Sequence, residues 1–324
     1  MALRRSPRSF FVLAFPELAI GALLVAAPRP AHPPAPAAFA VRYRNVDSPH
    51  PVRALTVLPG ETVTFEVVVA ERGAGAGYVA RPVAGRIVPL DAGRWEWTAP
   101  PTPGLYPIQV LAPDGAEPVT LQAFVVVPHD RIEGEFLNGY RIGPYPRPPA
   151  PGGAGHGPPA GFVEVTRENE NVLISPHFRL KQFLCKQAAG YPKYVVLDDR
   201  LLLALEHVLQ VVNEAGYRAT TFHVMSGYRT PAYNRSLGNV RYSQHLWGAA
   251  ADIFIDEDLN GVMDDLTGDG RSDIRDAAVL YRLIERAAAT PAAQGLIGGL
   301  GKYPSTAAHG PFVHVDVRDG TARW

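Results

Sequence analysis

From Gly143 to Pro159 the sequence reads GPYPRPPAPGGAGHGPP and carries neither the helical nor the strand repeat of apolar residues. Proline offers no backbone donor and glycine no side chain to bury, so a run of both cannot build a core. The run splits the chain. Its flanks predict a first domain over 40–130, a Pro/Gly-rich linker over 131–165 and a second domain over 166–324. At 324 residues there is enough chain for both.

Upstream of the run, short apolar segments alternate with Gly/Pro turns. Thr62–Val69, Arg94–Thr98, Leu105–Leu111 and Val119–Val127 read as strands, and the period of two puts Trp95 and Trp97 on one face. This spacing predicts a small immunoglobulin-like β-sandwich. Tyr106, just past a Pro-Gly turn, stands where such a domain would carry its tyrosine corner, the plainer alternative being an ordinary core tyrosine. Downstream, Ser175 is placed to cap a helix through Phe178, Leu180, Phe183 and Leu184. Asp198 or Asp199 caps a stronger one, with Leu201, Leu205, Val208, Leu209 and Val212 at helical spacing until Gly216. Ala219–Met225 and Phe312–Val317 read as strands and Asp276–Ala289 as a helix, which together predict an α+β domain.

Lys+Arg and Asp+Glu balance at 31 each, so no basic field is available and nucleic acid is excluded as a partner. Cys185 is the single cysteine, which excludes an intrachain disulfide and a Cys-rich zinc knuckle. Arg4, Arg5 and Arg8 precede an apolar run from Phe10 to Ala27 and then small residues and prolines. Residues 1–39 thus read as a secretory signal or an N-terminal anchor, and Pro16 and Glu17 inside the run favour a cleaved signal. The expected location is periplasmic or secreted, with no membrane contact beyond such an anchor.

The segment Ser243–Phe254, SQHLWGAAADIF, sets His245 and Asp252 seven residues apart across Gly248 and a run of alanines. Imidazole nitrogen and carboxylate oxygen both suit zinc, and small residues let the backbone close around an ion. The final strand offers His314, which shares a face with Phe312 and Asp316. Three protein ligands leave a fourth position for water, the arrangement of catalytic zinc.

SQHLWGAAAD resembles the S-x-H-x-x-G-x-A-x-D motif of the M15 family of zinc peptidases, the D-alanyl-D-alanine carboxypeptidases and related murein endopeptidases. SGYRTPAYN (226–234) is similar to the family's arginine-bearing segment, and GGLGKYPS with FVHVDVRDGTARW to its C-terminal motif. The resemblance covers roughly residues 170–324. It implies an α+β zinc peptidase domain of the D-Ala-D-Ala peptidase/hedgehog type, with His245, Asp252 and His314 as zinc ligands. It further implies that Arg229 binds substrate and stabilises the oxyanion, and that peptidoglycan peptides are the substrate. Several members carry an acid three residues before the last histidine as general base, where this chain has Pro311. The proton acceptor is then Asp316, on the same strand face as His314, or His309 in the preceding loop. Asp316 is expected, its alternative role being to orient a ligand. The departure at Pro311 also admits a second function, a catalytically inactive zinc-containing envelope protein that binds through its β-sandwich.

Asp256–Ala277 is strongly acidic. Asp256, Asp258, Asn260, Gly261 and Asp264 fall at positions one, three, five, six and nine of a calcium loop. Asp265, Thr267, Asp269, Gly270, Asp273 and Asp276 form a second register. Calcium is the expectation and a solvated acidic turn the alternative, since the closing Glu is Thr267 in one register and Asp276 in the other.

Overall fold

A computed structural model gives the fold, describing residues 37–68, 75–147 and 157–324. Apart from its last three residues, the predicted signal or anchor lies outside the described residues. Among the described residues no helix is long and apolar enough to cross a membrane.

The N-terminal strands are β1 (Ala40–Tyr43), β2 (Val46–Ser48), β3 (Val52–Val57), β4 (Thr62–Val68), β5 (Val79–Pro82), β6 (Arg86–Asp91), β7 (Arg94–Thr98), β8 (Gly104–Leu105), β9 (Ile108–Leu111) and β10 (Val119–Val125). One sheet runs β2-β1-β4-β7-β6 and the other β3-β10-β9-β5, with β8 also on β10. The β3–β10 pair is parallel. Val63, Phe65 and Val67 from one sheet and Leu121, Ala123 and Val125 from the other meet in one core. Trp95 and Trp97 point into it together, and the fully buried Trp97 indole donates to Ala84 O at 2.9 Å. Gly85, at φ 87°, makes that turn, and a Cβ there would lie 2.5 Å from the indole nitrogen. The strand expected over Leu105–Leu111 is broken at Pro107, which has no N–H for the ladder. Tyr106 Oη donates to Thr102 O, four residues upstream, at 3.1 Å.

The predicted linker needs correction. Within 131–165 the structure has β12 (Phe136–Leu137) and β13 (Tyr140–Arg141) as a hairpin. Its β14 (Gly161–Val165) lies between β11 (Val127–Pro128) and β15 (Lys193–Val195). Leu137, Tyr140, Ile142, Phe162, Val163 and Val165 are all buried in the C-terminal core. The prolines between them masked that apolar content.

The C-terminal sheet contains β16 (His223–Ser226), β17 (Ala250–Phe254), β18 (Gly299–Tyr303), β19 (Phe312–Asp316) and β20 (Ala322–Arg323), in the order β16-β17-β19-β18-β20. Helices α1 (Asp199–Glu214) and α3 (Ile274–Ala288) pack on each other, and α3 packs on β18 and β19; α2 (Pro231–Ser236) is short. Asp198 caps α1 by accepting from Arg200 N. The helix expected after Ser175 is absent: only Leu180–Phe183 forms a 3-10 turn. Ser175 Oγ donates to Glu206 at 2.6 Å instead of capping, and Leu180 N bonds Val172 O at 3.0 Å. The strand expected over Ala219–Met225 begins at His223, because Asn213 at the end of α1 holds both the N–H and the C=O of Ala219. Where the two halves meet, Ala54 N donates to Ile174 O at 2.9 Å and the buried Arg53 pairs with Asp199 at 2.7 Å.

Candidate metal centre

Neighbouring strands β17 and β19 place Asp252 directly opposite His314. His245 reaches them from a 3-10 turn, Gln244–Trp247, that ends at Gly248. Gly248 sits at φ 65°, and a Cβ there would come within 2.1 Å of Val196 O, so only glycine lets the chain double back into β17.

The three side chains converge. His245 Nε2 lies 3.3 Å from His314 Nδ1 and 3.3 Å from Asp252 Oδ1, and His314 Nδ1 lies 2.8 Å from Asp252 Oδ1. Donors about 2.0–2.1 Å from a tetrahedral zinc sit about 3.3 Å apart, close to the spacing of this triangle. Both imidazoles are fixed from behind: His245 Nδ1 donates to Gly227 O at 2.6 Å and His314 Nε2 to Asp316 Oδ2 at 3.0 Å. Each ring thereby keeps the other nitrogen's lone pair for the centre. Burial alone would raise the Asp252 carboxyl, but His245 and His314 outweigh it and hold it well below the usual carboxylate range. Burial pushes the His245 imidazole down, against the pull of Asp252. Both groups thus favour the deprotonated form that a metal needs. His314 moves the other way: burial lowers it, but Asp252 and Asp316 together raise it, so a proton and a cation compete for its Nδ1.

Arg229 follows β16 and is nearly buried. Its Nε donates to Ser226 Oγ at 2.8 Å and its Nη2 bonds Asp252 Oδ2. Asp252 therefore gives one oxygen to the imidazoles and the other to Arg229. The Nη1 of Arg229 has no partner among the described residues.

Asp316 shares the His314 face as expected, yet it cannot serve as the expected proton acceptor. It is fully buried, and it is bound to the nitrogen of His314 that is not a ligand. Arg318 grips it through Nε at 2.8 Å and Nη2 at 2.5 Å, and Gly299 N donates to it at 3.0 Å. Burial would raise this carboxyl, but His314 and Arg318 hold it well below the usual range. Its place is behind His314, where it orients the ring. His309, by contrast, lines the cleft with His245, Asp252 and His314. Its Nδ1 donates to Gly310 O at 2.8 Å, which leaves Nε2 as the basic nitrogen. The loop is held, not loose: the ring stands edge-on to Phe312 at 5.0 Å, Phe312 stacks on Tyr303 at 4.7 Å, and Thr306 N bonds His309 O at 2.8 Å.

The cleft measures about 640 Å³ and exposes residues with no role read from the sequence. Trp324 lies 5.4 Å from the His314 ring and donates to Tyr303 Oη at 2.5 Å. It stands in the C-terminal motif, so its position was marked but not its function. Lys186 also lines the cleft, and no sequence signal pointed to it.

The acidic insertion divides. Carboxylate oxygens of Asp256, Asp258 and Asp264 come within 4.8 Å of one another. Backbone amides meet them: Asn260 and Gly261 donate to Asp256, Glu257 to Asp264 and Asn260 to Asp258, while His223 also bonds Asp256. The Asn260 side-chain amide donates to Asp258 rather than joining a cage. Asp269 and Asp273 are not calcium ligands in this arrangement, because Arg275 pairs with both and Asp273 caps α3. Asp276 accepts from the amides of Leu266, Thr267 and Asp273. The density of acids is accounted for by turns and a helix cap, and calcium is not supported.

Three side chains that could hold a metal ion line an open cleft in a mixed α/β domain, an arrangement of the kind a metallohydrolase uses. Residues 176–266 match the Peptidase M15 family model, which supports an M15 family peptidase. The matched segment includes Arg229, His245 and Asp252, and His314 lies beyond it. No curated protein gives a significant match to the chain.

Proposed function

We infer that the protein is a zinc-dependent peptidase that hydrolyses peptide bonds in peptidoglycan stem peptides or cross-links. The observation that carries this reading is the triangle of His245 Nε2, Asp252 Oδ1 and His314 Nδ1, spaced for one tetrahedral ion at an open cleft. Zinc bound there would polarise a scissile carbonyl and acidify a water. His309 Nε2 takes the proton of the attacking water and returns it to the leaving amine. Arg229 holds Asp252 and offers Nη1 to the charge that develops on the carbonyl oxygen; a guanidinium keeps its own charge throughout. Asp316, clamped by Arg318, fixes the tautomer and tilt of His314.

The likeness of three motifs to the M15 peptidases supports the peptidoglycan substrate, the D-Ala-D-Ala peptidase/hedgehog type of domain and, with residues 1–39, a periplasmic or secreted location. The Tyr106–Thr102 bond supports the immunoglobulin-like reading of the N-terminal sheets. Pro311 favours the alternative of an inactive envelope-binding protein, but His309 fills the chemical gap it leaves.

Digestion of purified muropeptides, with and without a chelator, tests the reading. New fragments split at a stem-peptide bond should form, stop on chelation and return with zinc. Unchanged muropeptides in the zinc-loaded sample would leave the binding-protein alternative.

A further inference from the structure

A second cleft, of about 650 Å³, adjoins the one lined by His245, Asp252 and His314. Asn239 lines both, so the loop over 237–243 is the wall between them. That wall is fixed to α2: Asn234 Nδ2 donates to Val240 O at 3.0 Å, and Asn239 N donates to Asn234 O at 3.2 Å. Residues 144–147 line the second cleft as well. Tyr242 Oη ties them to the wall by donating to Arg147 O at 2.9 Å.

The charges here are one-sided. Arg147, Arg235 and Arg241 line the cleft and no acid does, in a chain whose charges balance. All three are exposed. Their placement is linked: Arg241 lies over the ring of Tyr242, 5.6 Å from its centre, Tyr242 bonds Arg147 O, and Arg235 Nη1 donates to Pro144 O at 3.3 Å. Arg147 and Arg241 have no acidic partner among the described residues. Arg235 reaches Glu135 only at 3.8 Å, and Arg141 already engages Glu135 at 2.8 Å. Like charges gathered in a concave site repel one another until an anion enters. A carboxylate brings two oxygens and a single charge to three forked donors. A phosphate brings three acceptor oxygens and close to two charges, so it can meet all three.

We propose that the cleft of Arg147, Arg235 and Arg241 binds a phosphate group, held one loop away from His245, Asp252 and His314. The proposal does not depend on the adjoining cleft being a peptidase site. The chain's balanced charge excludes a nucleic-acid backbone as the source. The phosphate is that of a soluble phosphomonoester or of a phospholipid headgroup, to which the exposed Leu237 and Val240 on the same loop offer apolar contact.

The test titrates inorganic phosphate and acetate by calorimetry, at constant ionic strength and at a pH above the second phosphate ionisation. The titrated proteins are the full chain equilibrated with zinc and its Arg147→Gln, Arg241→Gln double variant. Both residues are exposed, and Arg235, which bonds Pro144 O, is left in place, so the fold is kept. Phosphate should saturate one site and bind about tenfold or more tightly than acetate. The double variant should lose about tenfold or more of that affinity with its zinc content unchanged. No saturable phosphate binding, equal binding of acetate, or phosphate binding that survives the double substitution would overturn the proposal. Sedimentation with phosphatidylcholine vesicles, with and without phosphatidic acid, separates the two sources. Vesicle binding that needs both phosphatidic acid and the two arginines assigns a lipid headgroup; arginine-dependent phosphate binding without vesicle binding assigns a soluble ester.

Discussion

Asp316 and His309 compete for one chemical role, and their bonds separate them. Asp316 spends its oxygens on His314 Nε2, Arg318 and Gly299 N, while His309 bonds one backbone carbonyl and keeps Nε2 free. His309→Ala should keep zinc and lose about 10²–10⁴-fold in turnover, the usual worth of a positioned proton acceptor. Asp316→Asn should instead weaken zinc binding by about 10–100-fold, as loss of a group behind a ligand does. Zinc titration and kcat on the two variants check this; full turnover in His309→Ala returns the proton transfer to another group. Arg229→Lys keeps a charge but loses the planar fork that holds Asp252, so kcat should fall markedly while zinc still binds. Wild-type kcat in that variant would remove Arg229 from the chemistry. At this scale the convergence of His245, Asp252 and His314 was legible because the motif spacing singles out these three residues. The role of Asp316 was not, since the strand period tells which face a side chain takes but not which nitrogen of its neighbour it meets.

Among the elements, α3 shows how an acidic run can be read twice. Asp273 and Asp276 close a capping box on its first turn, a pattern that the calcium register had claimed. Asp276 is buried and accepts three amides, so Asp276→Ala should cost roughly 1–3 kcal/mol by leaving them unpaired. The exposed Asp258→Ala should cost far less. Urea midpoints of the two variants decide it, and equal losses would contradict the capping assignment. Arg275, with its own amide, holds the Asp273 carboxyl at about 2. A depressed carboxyl stabilises the fold fully above the ordinary range near 4, and that contribution is lost as pH falls through about 2. An NMR titration should show Asp273 returning toward the ordinary value in Arg275→Ala; no movement would mean that the arginine does not set it. The bounds of α1 were legible because Asp198 caps it and its apolar residues repeat at helical spacing. The turn after Ser175 was misread because its hydrogen bonds run to Glu206 and Val172, partners that no local pattern reveals.

In the molecule as a whole, the proline-rich divide separates less than its composition implied. Arg53, from the N-terminal sheets, is buried, pairs with Asp199 on α1 and donates to the carbonyls of Val41, Tyr43 and Val46. Its loss leaves those carbonyls and the acid unpaired, so Arg53→Ala should cost roughly 2–4 kcal/mol. Urea unfolding followed by tryptophan fluorescence and by circular dichroism should give coincident transitions in the wild type; two separated transitions would show the halves to be independent. The broad order of strands first and helices later was legible from periodicity. The packing of residues 131–165 was not, because its apolar residues are few and scattered among breakers. The zinc content of the purified full chain, measured after equilibration with zinc and removal of the excess, tests the central claim most directly. The expected result is one zinc per chain in the wild type and none in the His245→Ala, His314→Ala double variant. A wild type without zinc, or a double variant that keeps a full equivalent, would contradict it.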